Sequence, residues 1–247
     1  MLHCRVEPAG VAVATLDQPE RGNCLSDDMI AALLALIDEV ERREDVSVLV
    51  VEGQPRVFCG GGDVDVFGGW GAWTAAERRS YVVTGIQPLF RRLVDSPLLT
   101  VASVQGAVVG AGLDLLLACD LRFAATSASV RSGYLDVGLV PGAGSPWHLS
   151  RLIGRSRSLE LLLSGERRPA SELAQWGLFN GVFADDELGP AVTRICAGIA
   201  ARGRDRVGPL KSLVRTAAED SFEAHLDRAA TLLALLGEGP REQSGGS

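Results

Sequence analysis

An α/β fold is predicted by three features of the chain: strand-like segments concentrated in the first half, glycine-rich turns that follow them, and a nearly continuous helical pattern after Gly144. Strand candidates alternate with helix candidates, as in βαβ units. One core with a terminal extension accounts for the 247 residues, because α/β folds often reach about 250 residues as one unit. We expect a core domain with the active site at 1–185, a C-terminal helical oligomerisation region at 186–236 and a disordered tail at 237–247.

The first half alternates short apolar runs with capped helices. Ser26 precedes two acids in the first turn of a helical pattern, and Thr74 and Glu77 form a capping box that opens another. The predicted strands are Leu2–Val6, Gly10–Leu16, Val46–Val51, Leu99–Val104 and Leu121–Ala125, the first two forming a hairpin. The predicted helices are 27–42, 74–95 and 113–118.

The second half is predicted to be helical from Gly144 onward. Its helices are expected at 145–153, 156–163, 170–176, 188–202, 207–220 and 222–236. The residues from 237 to 247 are rich in Gly, Ser and Glu and bury too little apolar area to stay ordered.

Charge and composition exclude several classes of protein. The 24 Lys and Arg against 31 Asp and Glu give a net charge of −7, and there is no basic run to bind a nucleic acid. The five cysteines form no C-x-x-C pair, which argues against both a zinc site and a disulfide framework. No signal-peptide pattern follows Met1, so we expect a cytoplasmic protein. The spacing of the cysteines also leads us to expect no bound metal.

The apolar stretch Pro97–Cys119 is long enough to imitate a membrane span. Gln105 and Asp114 lie inside it, and a mid-membrane Asp costs about 2.5 to 3.5 kcal/mol. A buried strand, a glycine turn and a buried helix explain the stretch better, and no membrane partner is expected.

Two glycine turns follow buried strands and share one design. The first runs from Phe58 to Asp63, and the second from Gly106 to Gly112. Each directs backbone N–H groups away from a strand end, and two such donors converging on one point form an oxyanion hole. The alternative is a pair of ordinary tight turns, and spacing alone does not separate the two.

Other motifs for catalysis are absent. A dinucleotide-binding turn needs a third glycine where Leu115 stands, and neither a G-x-S-x-G elbow nor a Walker A loop occurs. The histidines at 3, 148 and 225 do not have metal-ligand spacing.

Five ordered blocks, which include residues of both glycine turns, resemble the crotonase (enoyl-CoA hydratase/isomerase) superfamily over about residues 2–236. They are Asn23-Cys24-Leu25, Phe58 to Asp63, Gly110-Ala111-Gly112-Leu113-Asp114-Leu115 with Cys119-Asp120, Gly138 to Gly144 with Arg151-Leu152-Ile153-Gly154, and Ala174 to Val182. The resemblance implies a spiral of ββα units with C-terminal helices, assembled as a homotrimer or homohexamer. It also implies an acyl-CoA substrate and no cofactor beyond the coenzyme A of that substrate.

The resemblance assigns roles to several residues. The oxyanion-hole donors map onto the N–H groups of Gly62 and Ala111, where the family usually has glycine at the second position. Asp114 falls where hydratases carry their first catalytic Glu, although an acid in the first turn of a helix also has a purely structural explanation. For the coenzyme we retain the backbone at Gly60, Gly61 and Gly62 together with Asp63.

The second hydratase Glu maps onto Tyr134, which is a departure from the family pattern. A phenol with a pKa near 10 is a poor base at neutral pH. Asp136, two residues on, shares a face with it in an extended segment and is a further candidate, unless it is a solvated or salt-bridged loop acid. Family dehalogenases and hydrolases carry Asp where Gly142 or Ala143 stands here, which disfavours those activities.

The resemblance leaves several functions open. Hydration or dehydration of an enoyl-CoA is the leading hypothesis, and single-base isomerisation is the close alternative. A non-catalytic acyl-CoA-binding paralogue is a third hypothesis, because Tyr134 and Ala111 depart from the family pattern. A serine peptidase is a further alternative, but the sequence shows no paired Ser and His for it. The aromatic residues that could line an acyl pocket, or pack in the core, are Phe67, Trp70, Trp73 and Trp147.

Overall fold

The computed structural model describes residues 1–53 and 56–236 and confirms the mixed α/β architecture. The predicted tail at 237–247 lies outside the described residues. The strands are β1 (Leu2–Glu7), β2 (Val11–Leu16), β3 (Val48–Gly53), β4 (Val57–Cys59), β5 (Leu99–Val104), β6 (Ala107–Val109), β7 (Leu121–Ala125), β8 (Ser129–Arg131), β9 (Arg168–Pro169) and β10 (Gly181–Phe183).

The helices lie between and after these strands. They are α1 (Asp27–Glu41), α2 (Val64–Gly68), α3 (Ala75–Ser80), α4 (Gln87–Asp95), α5 (Ala111–Ala118), α6 (Ser145–Leu152), α7 (Gly154–Ser164), α8 (Ala170–Gln175), α9 (Leu188–Ala200), α10 (Arg204–Thr216) and α11 (Phe222–Leu236). A π-helical segment, Tyr81–Ile86, joins α3 to α4. Ser26 accepts a hydrogen bond from the N–H of Met29, and Thr74 and Glu77 form the predicted capping box.

The strands form two sheets. The larger has six strands in the order β1-β2-β3-β5-β7-β10, and the smaller has four in the order β4-β6-β8-β9. The pairs β1–β2 and β8–β9 are antiparallel, whereas the other pairs are parallel. Consecutive units of two strands, such as β3–β4, β5–β6 and β7–β8, place one strand in each sheet, so the chain advances as a spiral.

Both faces of the larger sheet are covered, which explains its nearly continuous apolar strands. Helix α9 covers one face, where Leu188, Val192 and Cys196 pack against alternate residues of β2, β3 and β5. The other face joins the main core, which includes the apolar sides of α1, α4 and α5. Helix α9 therefore contributes to the core, although it lies beyond the boundary expected at residue 185.

The smaller sheet is the main difference from the sequence-based prediction. Its strands have two or three residues each, too few for a period of two to be recognised. The prediction that the chain is helical throughout from Gly144 is wrong, because β9 and β10 interrupt the helices. The stretch Pro97–Cys119 folds as β5, β6 and α5, and no helix within 1–53 and 56–236 is long and apolar enough to span a membrane.

Candidate active site

The two glycine turns meet at the ends of β4 and β6, which are parallel neighbours in the smaller sheet. Gly61 has φ +112°, and a methyl group placed on its Cα would lie 3.0 Å from the carbonyl oxygen of Val109 and 3.4 Å from the amide nitrogen of Ala111. A side chain at Gly61 would therefore separate the turns. The sheet brings together what the sequence shows only as two similar motifs.

Two N–H groups at this junction lack backbone partners. Within residues 1–53 and 56–236, neither Gly62 nor Ala111 donates its N–H to a backbone carbonyl. Both residues are half-buried, and Ala111 is the first residue of α5, where the helix leaves its N–H groups free and favours negative charge. Neither N–H is bound by the described backbone, and their joint role as donors to one thioester oxygen stays a prediction.

The methyl group of Ala111 does not strain the second turn. In the described part of the chain, the non-glycine residues with positive φ are Asn23 and Arg56. The preceding Gly110 takes the unusual conformation instead, with φ 52° and ψ −124°. Ala111 therefore keeps an unstrained backbone as the first residue of α5.

The first turn is anchored by Asn23, which is fully buried and adopts a left-handed φ of 52°. Its side-chain amide donates to the carbonyl of Val57 at 2.7 Å, and its side-chain oxygen accepts from the N–H of Gln18 at 2.7 Å. Asn tolerates this backbone better than most residues. The chain before α1 is thereby attached to the strand that leads into the turn.

The other groups retained for the coenzyme already have partners within the chain. The N–H of Gly60 donates to Gly22 at 2.7 Å, and the carbonyl of Gly61 accepts from the N–H of Leu25 at 2.8 Å. The carboxylate of Asp63 binds Arg21 at 2.9 Å and caps α2. These contacts build the turn, and contact of these residues with coenzyme A stays a prediction.

Asp114 lies one turn into α5 and is 1% exposed. The N–H of Ser145, at the start of α6, donates to its Oδ1 at 2.7 Å. The buried phenol of Tyr134 donates to its Oδ2. Tyr134 and Ser145 are 20 and 31 residues away in the sequence, so three separate segments meet at this carboxylate.

Burial decides the protonation of this pair. It raises the pKa of Asp114, while the hydrogen bonds from Tyr134 and Ser145 act in the opposite direction. Burial, followed by the adjacent Asp114, raises the pKa of Tyr134 well above its usual value. The phenol is therefore a neutral donor at physiological pH, and Asp114 is the group of the pair that can accept a proton.

The structure does not bring Asp136 to this cluster. Its carboxylate forms a 2.6 Å ion pair with Arg131 and is exposed. Residues 135–137 form a short 3-10 turn, not the extended segment on which the candidacy of Asp136 rested. Asp136 is thus a salt-bridged loop acid in this structure.

Three of the four candidate aromatic residues gather beside the first turn. The ring of Phe67 packs so closely on the Cα of Gly62 that a methyl group there would lie 2.3 Å from it. Trp70 contacts Phe67 edge to face and stacks on Trp73, and Tyr81 contacts both tryptophans. Trp147 is elsewhere: it stacks on Arg151 and lines a separate cavity of about 720 Å³ beside α10.

Ser145 is the residue of this site that sequence reasoning missed. Its position was predicted as the start of a helix, which is correct, but no role was attached to its polar groups. Its place directly after Gly144, at a helix N-terminus, was the available signal, since such positions expose N–H groups to anions.

Comparison with known proteins identifies the family of this chain. The model of the family described as "Enoyl-CoA hydratase/isomerase" matches residues 6–243. A probable enoyl-CoA hydratase of Mycobacterium tuberculosis is 35% identical over 95% of this chain and 88% of its own length. The 1,2-epoxyphenylacetyl-CoA isomerase of Escherichia coli is 31% identical over 88% of this chain and 83% of its own.

Solved structures show the same fold. An enoyl-CoA hydratase from Polaromonas superimposes with a TM-score of 0.89 at 26% identity, covering 96% of this chain and 92% of that one. A candidate enoyl-CoA hydratase from Thermobifida fusca, solved in complex with CoA, has a TM-score of 0.86 at 28% identity, covering 96% and 93%. With the converging turns and the buried carboxylate, these matches show that the chain belongs to the enoyl-CoA hydratase/isomerase family of lyases and isomerases and has the crotonase fold.

Proposed function

We propose that this protein adds water to the double bond of an enoyl-CoA thioester and catalyses the reverse dehydration. The observation that carries the proposal is the placement of Asp114 one helical turn beyond the unpartnered N–H of Ala111, with Gly62 across the junction. Hydrogen-bond donors stabilise the negative charge that develops on a thioester oxygen, and a proton acceptor can remove or return the proton in enolate chemistry.

The thioester oxygen takes the developing negative charge. When water adds to the β-carbon, the electron pair of the double bond moves toward the carbonyl, and the N–H groups of Gly62 and Ala111 stabilise the resulting enolate. Helix α5 adds its dipole at Ala111. The half-buried setting strengthens both hydrogen bonds relative to water.

Asp114 transfers the proton. Its two carboxylate oxygens are held by Ser145 and Tyr134, so the carboxylate has a fixed orientation before substrate arrives. Its raised pKa makes it a better proton acceptor than an exposed Asp. In dehydration the same carboxylate removes the α-proton.

Double-bond isomerisation is the second candidate. Asp114 supports this reaction as a single base, because Asp63 is paired with Arg21 and Asp136 with Arg131. One base suffices to move a proton between carbons. The relative in Escherichia coli is named 1,2-epoxyphenylacetyl-CoA isomerase, so isomerases of CoA thioesters occur among the relatives of this chain.

The substrate test compares a thioester with its free acid. Crotonyl-CoA is expected to bind measurably and to lose its enoyl absorbance, whereas crotonate is expected not to bind, because the donors of the hole and the adjoining turn recognise the thioester and its carrier. Calorimetry measures binding, and an absorbance assay measures the loss of the enoyl double bond. A parallel assay with 3-hexenoyl-CoA tests for isomerisation. Equal affinity for thioester and acid, or binding of neither, would contradict the proposal.

We also propose that the protein is a homotrimer or homohexamer. In the described chain, α10 and α11 leave large apolar side chains exposed: Leu210, Val214, Phe222, Leu226, Leu233 and Leu235. A monomer does not usually expose this much apolar surface on two adjoining helices.

A further inference from the structure

The hydroxyl of Ser145 lies buried in the active site without a hydrogen-bond partner. The residue is 0% exposed, and its Oγ makes no hydrogen bond with any residue in the described ranges. The same residue's N–H bonds Asp114, so the hydroxyl must lie near that carboxylate. The hydroxyl acts to lower the pKa of both Asp114 and Tyr134 and therefore lies near both groups, although it forms no hydrogen bond with either.

Two other buried serines, Ser158 and Ser132, have hydrogen-bond partners for their hydroxyls. Ser158 donates to the carbonyl of Gly154 at 2.7 Å, and Ser132 donates to the carbonyl of Leu162 at 3.2 Å. A buried polar group without a partner destabilises a protein. The Ser145 hydroxyl is therefore a local cost in the free protein, and a group that enters the site can remove it.

The surrounding groups indicate which entering group is suitable. The proton of Tyr134 is already donated to Asp114, and Asp136 is bound to Arg131 at the surface. A water molecule that reacts beside Asp114 donates one proton to the carboxylate and needs a second polar partner to fix its oxygen. The hydroxyl of Ser145 can donate and accept, and it lies beside Asp114.

We propose that Ser145 is a catalytic residue whose hydroxyl hydrogen-bonds the water oxygen that is added to, or removed from, the β-carbon of the acyl chain. This inference rests on the proposed function. In hydration, the water oxygen uses a lone pair to form the bond to the β-carbon, and one O–H bond breaks as its proton passes to Asp114. The double-bond electron pair moves into the thioester enolate, and Asp114 then returns the proton to the α-carbon.

The test uses Ser145→Ala, with Ser158→Ala as the matched control of a buried serine whose hydroxyl has a structural partner. Three quantities are measured in the full chain: the melting temperature, hydration of crotonyl-CoA, and exchange of the α-protons of butyryl-CoA in D2O. Exchange needs the oxyanion hole and Asp114 but no reacting water, so it reports the rest of the site.

Ser145→Ala is expected to melt at the same or a higher temperature, because it removes an unpartnered group. Its kcat for hydration is expected to fall by at least about tenfold, with KM and α-proton exchange changed less than about threefold. Ser158→Ala is expected to lower the melting temperature and leave kcat unchanged.

Four results would overturn the role of Ser145. Three of them concern Ser145→Ala: an unchanged rate of hydration, a decrease in melting temperature like that of Ser158→Ala, or equal decreases in the rates of hydration and α-proton exchange. The fourth is a wild-type protein that exchanges α-protons but does not hydrate crotonyl-CoA. The last result would leave the enolate chemistry intact. A wild-type protein that neither binds crotonyl-CoA nor exchanges protons would instead remove the proposed function, and the role of Ser145 with it.

Discussion

Asp114 combines two properties that shift its pKa in opposite directions. It is almost fully buried, which raises its pKa, and it accepts two hydrogen bonds, which favour the charged form. Substitution of Tyr134 can remove one of these two hydrogen bonds to Asp114 without adding a charge. Asp114 can therefore be tested for proton transfer and for the tuning of its pKa.

Asp114→Asn is expected to lower turnover of enoyl-CoA by about 10² to 10⁴, since the amide keeps the size of the side chain but cannot accept the proton. Thioester affinity should change little. Asp136→Asn is the control, and it should cost much less because that side chain is paired with Arg131 at the surface. Steady-state kinetics and calorimetry measure both effects, and a fully active Asp114→Asn would refute the mechanism.

Tyr134→Phe has a distinct expected signature. The bond from Tyr134 lowers the pKa of Asp114, so its removal raises that pKa further. The base is then charged only at higher pH, and the acidic limb of the kcat/KM profile should move upward. An unchanged profile would show that the phenol does not tune the carboxylate.

His148 predicts a pH dependence of stability. Burial, with Arg122 and Arg151 nearby, lowers its pKa to about 4 from 6.5. The unfolded chain therefore binds a proton more readily, so the free energy of unfolding should fall as pH drops from about 6.5 toward about 4. Urea unfolding of the wild type and His148→Gln, at one protein concentration, should show the shallower pH slope in the variant. Equal slopes would contradict the assignment.

At the scale of elements, helix α5 depends on a close approach to β4. A methyl group on Gly112 would lie 2.3 Å from the carbonyl oxygen of Cys59, where backbone faces backbone. This contact places the N–H of Ala111 and the carboxylate of Asp114 relative to the first turn. The position of the helix is therefore a condition for the geometry of the site.

Gly112→Ala is expected to destabilise the protein by about 1 to 3 kcal/mol, because neither backbone segment can yield without strain. Gly198→Ala, in α9, is the matched control, since no neighbouring atom of residues 1–53 or 56–236 lies within 4 Å of the added methyl group. It should stabilise by up to about 1 kcal/mol through helix propensity. Chemical denaturation measures both, and equal effects of the two substitutions would contradict the packing argument.

At the scale of the whole molecule, the apolar faces of α10 and α11 predict self-association. Light scattering at micromolar concentration should give three or six times the chain mass of 26.0 kDa. Leu226→Lys, at an exposed apolar position of α11, should lower the measured mass if that face is an interface. A monomeric wild type would exclude the proposed assembly.

The sequence by itself determined the local elements and the family. The cap at Ser26, the capping box at Thr74 and the buried strands β3 and β5 follow from interactions between residues a few positions apart, and they were predicted close to their observed bounds. The glycine turns were also recognised, because the conformations they need are tied to residue type. Their ordered spacing was enough to indicate the family.

The tertiary structure alone decided which of these residues meet. The turn at Gly61 reaches Ala111 because β4 and β6 pair in the smaller sheet, whose strands are too short to leave a periodic pattern. Tyr134 and Ser145 contact Asp114 through packing between segments that are 20 and 31 residues apart in the chain. Asp136 instead points outward and binds Arg131. Local periodicity does not predict contacts between side chains that are far apart in the sequence. Those contacts form only when the strands pair and the two sheets pack around one core.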